Sequence, residues 1–193
     1  RAGAYELGLL SLQVQGTERT PGNNYTVLRA RRNLRPGSDI GAIFMSRQSA
    51  ESGADFNRVY GVDANIRFAG TTDWNSYVVR TETPGIDTGE YAWRTSLNRE
   101  GNFFHGKGGV MQIGEGFQSD LSFYRRTATR KYFTDIGVRP RPVALKKYGI
   151  RELHPHIVWN YYENLDGLIT GKRLHSGLTV FFNSGAYVEW SEN

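Results

Sequence analysis

The sequence contains no cysteine, which excludes disulfides, a thiol nucleophile and any cysteine-based metal site. It also lacks a long apolar run. Hydrophobic residues make up only 38% of its 193 positions, so no segment is expected to cross a membrane as a helix. The low mean hydropathy, −0.53, does not exclude a membrane location. A transmembrane barrel strand alternates lipid-facing and lumen-facing residues, so on average it reads as soluble. Helix signals are nearly absent, because no segment sustains a 3.6-residue period with caps. The nucleophile elbow G-x-S-x-G, the metalloprotease pair H-E-x-x-H and the P-loop are all missing. No catalytic constellation stands out, and no cofactor is implied. Gly106-Lys107-Gly108-Gly109 is glycine-rich but lacks the strand-to-helix context that phosphate binding needs. Close packing or a strand bend accounts better for those glycines. The opening Arg1-Ala2-Gly3-Ala4-Tyr5 carries no signal-peptide pattern, so an exported protein is expected to have its signal upstream.

What is present in excess is aromatic residues, 13%, beside 23 glycines. Interfacial aromatic girdles and turn glycines would produce that pair of excesses, and so would a soluble β-sandwich or lectin. The formal net charge is +5. Nucleic-acid binding is one reading of that charge, but the basic residues are spread along the chain at mostly alternate positions. The spread fits a basic lumen or a basic periplasmic rim better, and no nucleic-acid partner is expected.

Period-2 segments recur between turn signals. The clearest is Tyr60 to Phe68, where Tyr60, Val62, Ala64, Ile66 and Phe68 alternate with Gly61, Asp63, Asn65 and Arg67. One face is wholly apolar, and the other is glycine and polar groups. Segments 25–32, 38–47, 131–139, 153–162 and 173–182 repeat the theme; 5–15, 74–82, 91–98, 103–113 and 186–190 do so less regularly. These make about eleven strands, most near the ~9–11 residues that cross a bilayer at a tilt. Globular strands are typically shorter, at about 5–6 residues. The connections alternate between long (16–24, 48–57, 83–90, 114–126) and short (33–37, 69–73, 99–102, 183–185), as in bacterial barrels with long extracellular loops and short periplasmic turns. Two connections break the rule: 139–151 is too long and 163–167 too short. The expected fold is therefore an all-β, antiparallel, up-and-down transmembrane β-barrel. Closed barrels of this class have even strand numbers, so residues 1–193 are expected to be a single, partial barrel domain truncated at both ends. The expected location is the bacterial outer membrane, with the lipid bilayer as partner.

The alternation projects Arg29, Arg31, Arg67, Arg80, Arg94, Lys131, Arg139 and Arg173 to the inner side, together with Asp63, Asn65, Glu82 and Asp135. A charge on the lipid face at mid-membrane would cost roughly 2–4 kcal/mol. Two readings of this wall remain open: a pore favouring anionic solutes, or a plugged barrel whose charges pair across strands. Asp63 and Glu82 form a candidate carboxylate pair for glycoside hydrolysis, with strand partners of basic residues as the alternative. His154, His156 and His175 are the candidate metal ligands. The first two share a face, and an Asp166-Gly167 hairpin turn would set His175 diagonally across from His156. Imidazoles so placed can ligate zinc or copper; ordinary histidines on a polar face are the alternative. Tyr60, Phe68, Tyr77, Tyr91, Trp93, Tyr132, Trp159, Tyr161, Tyr187 and Trp190 are candidate girdle residues.

The stretches Arg29–Arg47 (RARRNLRPGSDIGAIFMSR) and Arg58–Phe68 (RVYGVDANIRF) resemble a bacterial family of barrel domains of unknown function, numbered 5916. Ile113-Gly114-Glu115-Gly116-Phe117 is similar to the family's Ile-Gly-Glu-x-Phe. The next residues, Gln118 to Phe123, depart from the family's Asn-Pro-Glu-x-Gly-Phe. The resemblance implies an outer-membrane barrel without an assigned activity, commonly placed after a carbohydrate-binding domain of the family-9 type. It makes such an upstream domain an expected partner and glycan binding or uptake an expected context. A channel or membrane anchor is thus expected, with a soluble glycan-binding β-sandwich and a barrel-embedded glycoside hydrolase as alternatives.

Overall fold

The computed structural model describes residues 3–193; the first two residues of the expected 1–193 domain lie outside the described residues. The strands are β1 (Tyr5–Val14), β2 (Asn23–Arg35), β3 (Ser38–Ser49), β4 (Phe56–Phe68), β5 (Thr72–Glu82), β6 (Tyr91–Glu100), β7 (Phe104–Ile113), β8 (Thr129–Val138), β9 (Ile150–Asn164), β10 (Ile169–Phe182) and β11 (Tyr187–Glu192). They form one 11-stranded sheet in strict chain order, and each strand pairs antiparallel with the next. This is the all-β, up-and-down, partial-barrel architecture that the period-2 patterning predicts. The sheet is not closed, because β1 pairs only with β2 and β11 only with β10. Among the described residues the only helical segment is the 3-10 turn Val143–Tyr148.

Directly opposed residues on antiparallel strands share a face, so the register carries one face across the whole sheet. The row Leu7, Ala30, Ala42, Val62, Val78, Trp93 lies on one face. A second row, Ile66, Trp74, Leu97, Gly108, Thr134, Trp159, Leu174, lies on the same face. On the opposite face the row Glu6, Arg31, Gly41, Asp63, Tyr77, Arg94, Met111, Lys131, Tyr162 runs from β1 to β9.

Burial on these faces is the inverse of a soluble domain's. Leu7 is 74% exposed, Val62 60%, Leu174 56% and Leu97 53%. Meanwhile Ser38, Asp39, Asn57, Thr81, Glu90, Ser96, His105, Glu152 and Thr179 are buried. Among the described residues the buried apolar set is Val59, Ala92, Ile113 and Phe117, all on the polar side or in the loop that covers it. Hydrophobic burial drives folding in water, yet here the sheet's largest apolar surface is left uncovered.

Connections sort by sheet end. Residues 15–22, 50–55, 83–90 and 114–128 join strands at one end, and 36–37, 69–71, 101–103 and 183–186 join them at the other. The 3-10 segment lies at the short-turn end, and the tight turn 165–168 at the long-loop end, so both irregular connections fall where the sequence places them.

Candidate functional site

The polar face is a wall of paired charges from β1 to β5. Arg29 donates to both Asp63 oxygens, at 2.5 and 2.9 Å. Arg31 donates to Asp39 at 2.6 Å, whose second oxygen accepts from Asn65. Asn75 donates in turn to the Asn65 side-chain carbonyl at 2.8 Å. Arg67 forks onto both oxygens of Asp73. At the long-loop end Arg47 reaches Asp55 and Asp120, both at 2.7 Å. Its guanidinium hydrogen bond holds the loop carboxyl of Asp55 below the ordinary range.

Two of the expected inner residues are not on this face. Arg80 pairs with Tyr60, and Glu82 with Arg58, so both share the face of Val62 and Val78. Strand β5 contains the double valine Val78-Val79, which is apolar on both faces, and the parity read from sequence slipped by one residue there. Arg80 is neutralised by Glu90 at 3.2 Å, and Glu82 accepts from Tyr60, both next to the 83–90 loop. Asp63 and Glu82 therefore lie on opposite faces, and the carboxylate pair expected for glycoside hydrolysis does not exist. Tyr77 and Tyr187 also belong to the polar face, since they oppose Asp63 and Phe181. They leave the girdle set, whereas Tyr60, Phe68, Tyr91, Trp93, Tyr132, Trp159, Tyr161 and Trp190 lie on the apolar face.

From β6 to β10 the cations are held differently. Arg94 sits over the Phe133 ring at 5.0 Å. Lys131 lies between Phe133 and Tyr162, at 5.6 and 5.2 Å. Arg126, from the 114–128 loop, lies 5.8 Å from the same Tyr162 ring. Rings hold a cation in place without neutralising it. Among the described residues none of these three has a carboxylate within ion-pair distance, and the Arg94 Nε is buried with no hydrogen-bond partner. Lys131, Arg126 and Arg173 border a cavity of about 580 Å³.

The roof of that cavity is the 114–128 loop, which folds over the polar face instead of extending away from the sheet. Phe117 packs with Ala92 and Ile113 and meets Tyr124 edge-on at 5.4 Å. The fully buried Asn57 donates to the Gln118 carbonyl and accepts from the Asp120 amide, at 2.9 and 3.0 Å. Gly114 and Gly116 press onto the 83–90 loop so closely that a Cβ at either would sit about 2 Å from the Gly89 or Thr88 carbonyl oxygen. Those two residues are the glycines of the Ile-Gly-Glu-Gly-Phe stretch.

At the short-turn end all four histidines of the chain meet. His175 lies diagonal to His156, because His175 opposes Val158 and His156 opposes Gly177. Their Nε2 atoms are 3.1 Å apart. His105 joins from β7, with its Nε2 2.7 Å from that of His154, and the His154 ring stacks on His156 at 4.9 Å. Glycines make room for these rings. A Cβ at Gly137 would lie 2.2 Å from the His105 Nε2, and one at Gly177 2.6 Å from the His156 Cε1. Asp135 stands 3.9 Å from the His105 Nδ1, and Glu189 of β11 lines the same groove. His105 and Glu189 escape the sequence reading. The first sits in the glycine-rich strand Phe104–Ile113, where alternation is weak, and the second is an ordinary exposed glutamate until the register brings it in.

Arg139 lies just past β8, where it pairs with Glu100 at 2.6 Å. Arg173 donates to Asn193 at 2.7 Å. Asp135 opposes Lys107 across the β7–β8 ladder. No protein-family model, curated protein or solved structure matches this chain.

Proposed function

We propose that this chain is the wall of a bacterial outer-membrane β-barrel, related to the domains of unknown function numbered 5916, and that its polar face lines a passage for anionic solutes. The observation that carries the reading is the inverted burial: leucines and valines uncovered on one face, carboxylates, asparagines and histidines packed on the other. In water such a face is an aggregation hazard. In hydrocarbon it is the required solution, because the solvent there is as apolar as the side chains and every spanning backbone group must be paired within the sheet. Apolar-face aromatics on many strands support the same reading. In hydrocarbon the free edges of β1 and β11 must also be paired, so the reading requires further strands beside them, from this polypeptide or a neighbour.

The solute class follows from the division of the wall. Between β1 and β5, Arg29, Arg31, Arg47 and Arg67 each meet a carboxylate. Between β6 and β10, Arg94 and Lys131 keep their charge on the wall, and Arg126 keeps its own on the loop that narrows the space. A constriction lined by uncompensated cations favours anions. The carbohydrate-binding domain common in the resembling family would make acidic glycans a fitting cargo. A soluble glycan-binding β-sandwich would need a second layer over the apolar face, and the single sheet has none.

The test is membrane extraction followed by reconstitution. The full-length protein should remain with the outer membrane until detergent is added, migrate differently on unheated and heated gels, and pass chloride in preference to potassium in a planar bilayer. A protein that is monodisperse in detergent-free buffer refutes the proposal.

A further inference from the structure

We infer that His156, His175 and Glu189 form a binding site for a divalent transition-metal ion of the zinc type, presented on the polar face near the short-turn end. The argument starts from where the hydrogens sit. The His156 Nδ1 is 3.3 Å from the His154 backbone carbonyl, which can only accept. The His175 Nδ1 is 3.0 Å from the Asn193 Oδ1. That oxygen is identified as the acceptor because it also takes a hydrogen bond from Arg173. Each imidazole thus donates from Nδ1 and leaves Nε2 bare. The two bare nitrogens face each other at 3.1 Å.

Two lone pairs at that distance repel unless a proton or a metal ion lies between them. Two imidazole nitrogens on one tetrahedral zinc, at Zn–N bonds of about 2.0–2.1 Å, stand about 3.3 Å apart. The pair is therefore already spaced for a common ion. Glu189 supplies an anionic third ligand: one ligand atom from each of the three residues lies within 4.8 Å of the others. Its carboxylate now accepts from Thr179 at 3.3 Å, a contact it would exchange for the ion. The two imidazoles are borderline donors that suit zinc, copper or nickel better than magnesium or calcium, and zinc readily takes a carboxylate oxygen beside them. A fourth position stays open to water.

The surroundings are those of an oriented ligand set. The Nδ1–H···O contacts fix tautomer and ring direction, as the outer partners of metal-binding histidines do. The stacked His154, itself tied to His105 at 2.7 Å, buttresses the His156 ring. Gly177 leaves that ring the space it occupies. None of this depends on the sheet lying in a membrane.

The experiment is isothermal titration of the purified full-length protein, stripped with EDTA, against Zn²⁺ alone. One zinc per chain is expected. His156→Ala and His175→Gln should each weaken binding by at least about 100-fold, the upper end of what losing an outer-shell partner costs, and Glu189→Gln by about 10-fold. Gly177→Ala, which removes no ligand, should weaken it as well by displacing the His156 ring. Co²⁺ titration of the unaltered protein gives a readout independent of any variant's folding. An intense visible d–d band marks a tetrahedral or five-coordinate histidine site, and a weak octahedral spectrum rejects it. Absence of zinc uptake by the folded protein, or uptake unchanged in the His156→Ala/His175→Gln double variant, overturns the assignment.

Discussion

Arg29 on β2 reaches Asp63 on β4 across the bare backbone of Gly41 on the intervening strand β3. A Cβ at Gly41 would lie 2.5 Å from the Arg29 Nη2, so the guanidinium of the bidentate pair occupies the space that a side chain at residue 41 would take. The arrangement ties three strands together on the polar face. Gly41→Val should therefore destabilise the protein by about 1–3 kcal/mol, the cost of breaking hydrogen bonds to a charged group. The same substitution in an Arg29→Ala background should cost clearly less, because the two changes remove one shared interaction. Equilibrium urea unfolding of the four proteins in the cycle measures this, and strict additivity would show that Gly41 serves some other purpose.

Asn57 holds the 114–128 loop against the polar face. Replacing it with alanine takes from the Asp120 amide and the Gln118 carbonyl the partner that the fully buried Asn57 side chain provides. The expected loss of stability is about 1–3 kcal/mol. In a reconstituted channel the loop should swing away from the wall, and single-channel conductance should rise. A conductance equal to that of the unaltered protein would mean that the loop does not narrow the passage.

The split between paired and unpaired cations makes a charge-selectivity prediction. Lys131→Glu combined with Arg94→Gln should move the reversal potential in a salt gradient from the anion side toward the cation side. The neutralising double change Arg67→Gln/Asp73→Asn also alters two charged side chains but leaves the net charge unchanged, and should leave the reversal potential where it was. Equal shifts in the two variants would contradict the division of the wall at β5.

Strand existence was legible in the sequence wherever one face was wholly apolar. Tyr60 to Phe68 gives its own register, and the structure extends that strand back to Phe56. Parity was legible only where alternation is strict. Val78-Val79 is apolar on both sides, and Arg80 and Glu82 were consequently assigned to the wrong face. Three of the four clustered histidines were legible, because His154 and His156 share a face by spacing and the Asp166-Gly167 turn sets His175 diagonal to His156. Gly167 does adopt the positive φ of 86° that such a turn needs. His105 and Glu189 arrive through pairings with sequence-distant strands, which no local pattern encodes. The inward path of the 114–128 loop was illegible for a similar reason: its anchors, Arg47, Asn57 and Thr81, lie on three other strands.

The central claim is that one face of this sheet meets lipid and the other meets water. The absence of native cysteine makes single-cysteine spin labelling direct. Labels at Val62, Val78 and Ile157 are compared with labels at Asn75, Tyr77 and Asn160 in the protein reconstituted into phospholipid vesicles. Power-saturation measurements should find the first group accessible to oxygen, which partitions into lipid, and shielded from a water-soluble nickel chelate, with the second group the reverse. If Val62, Val78 and Ile157 are as accessible to the nickel chelate as Asn75 and Asn160, the apolar face does not lie in a bilayer and the account fails.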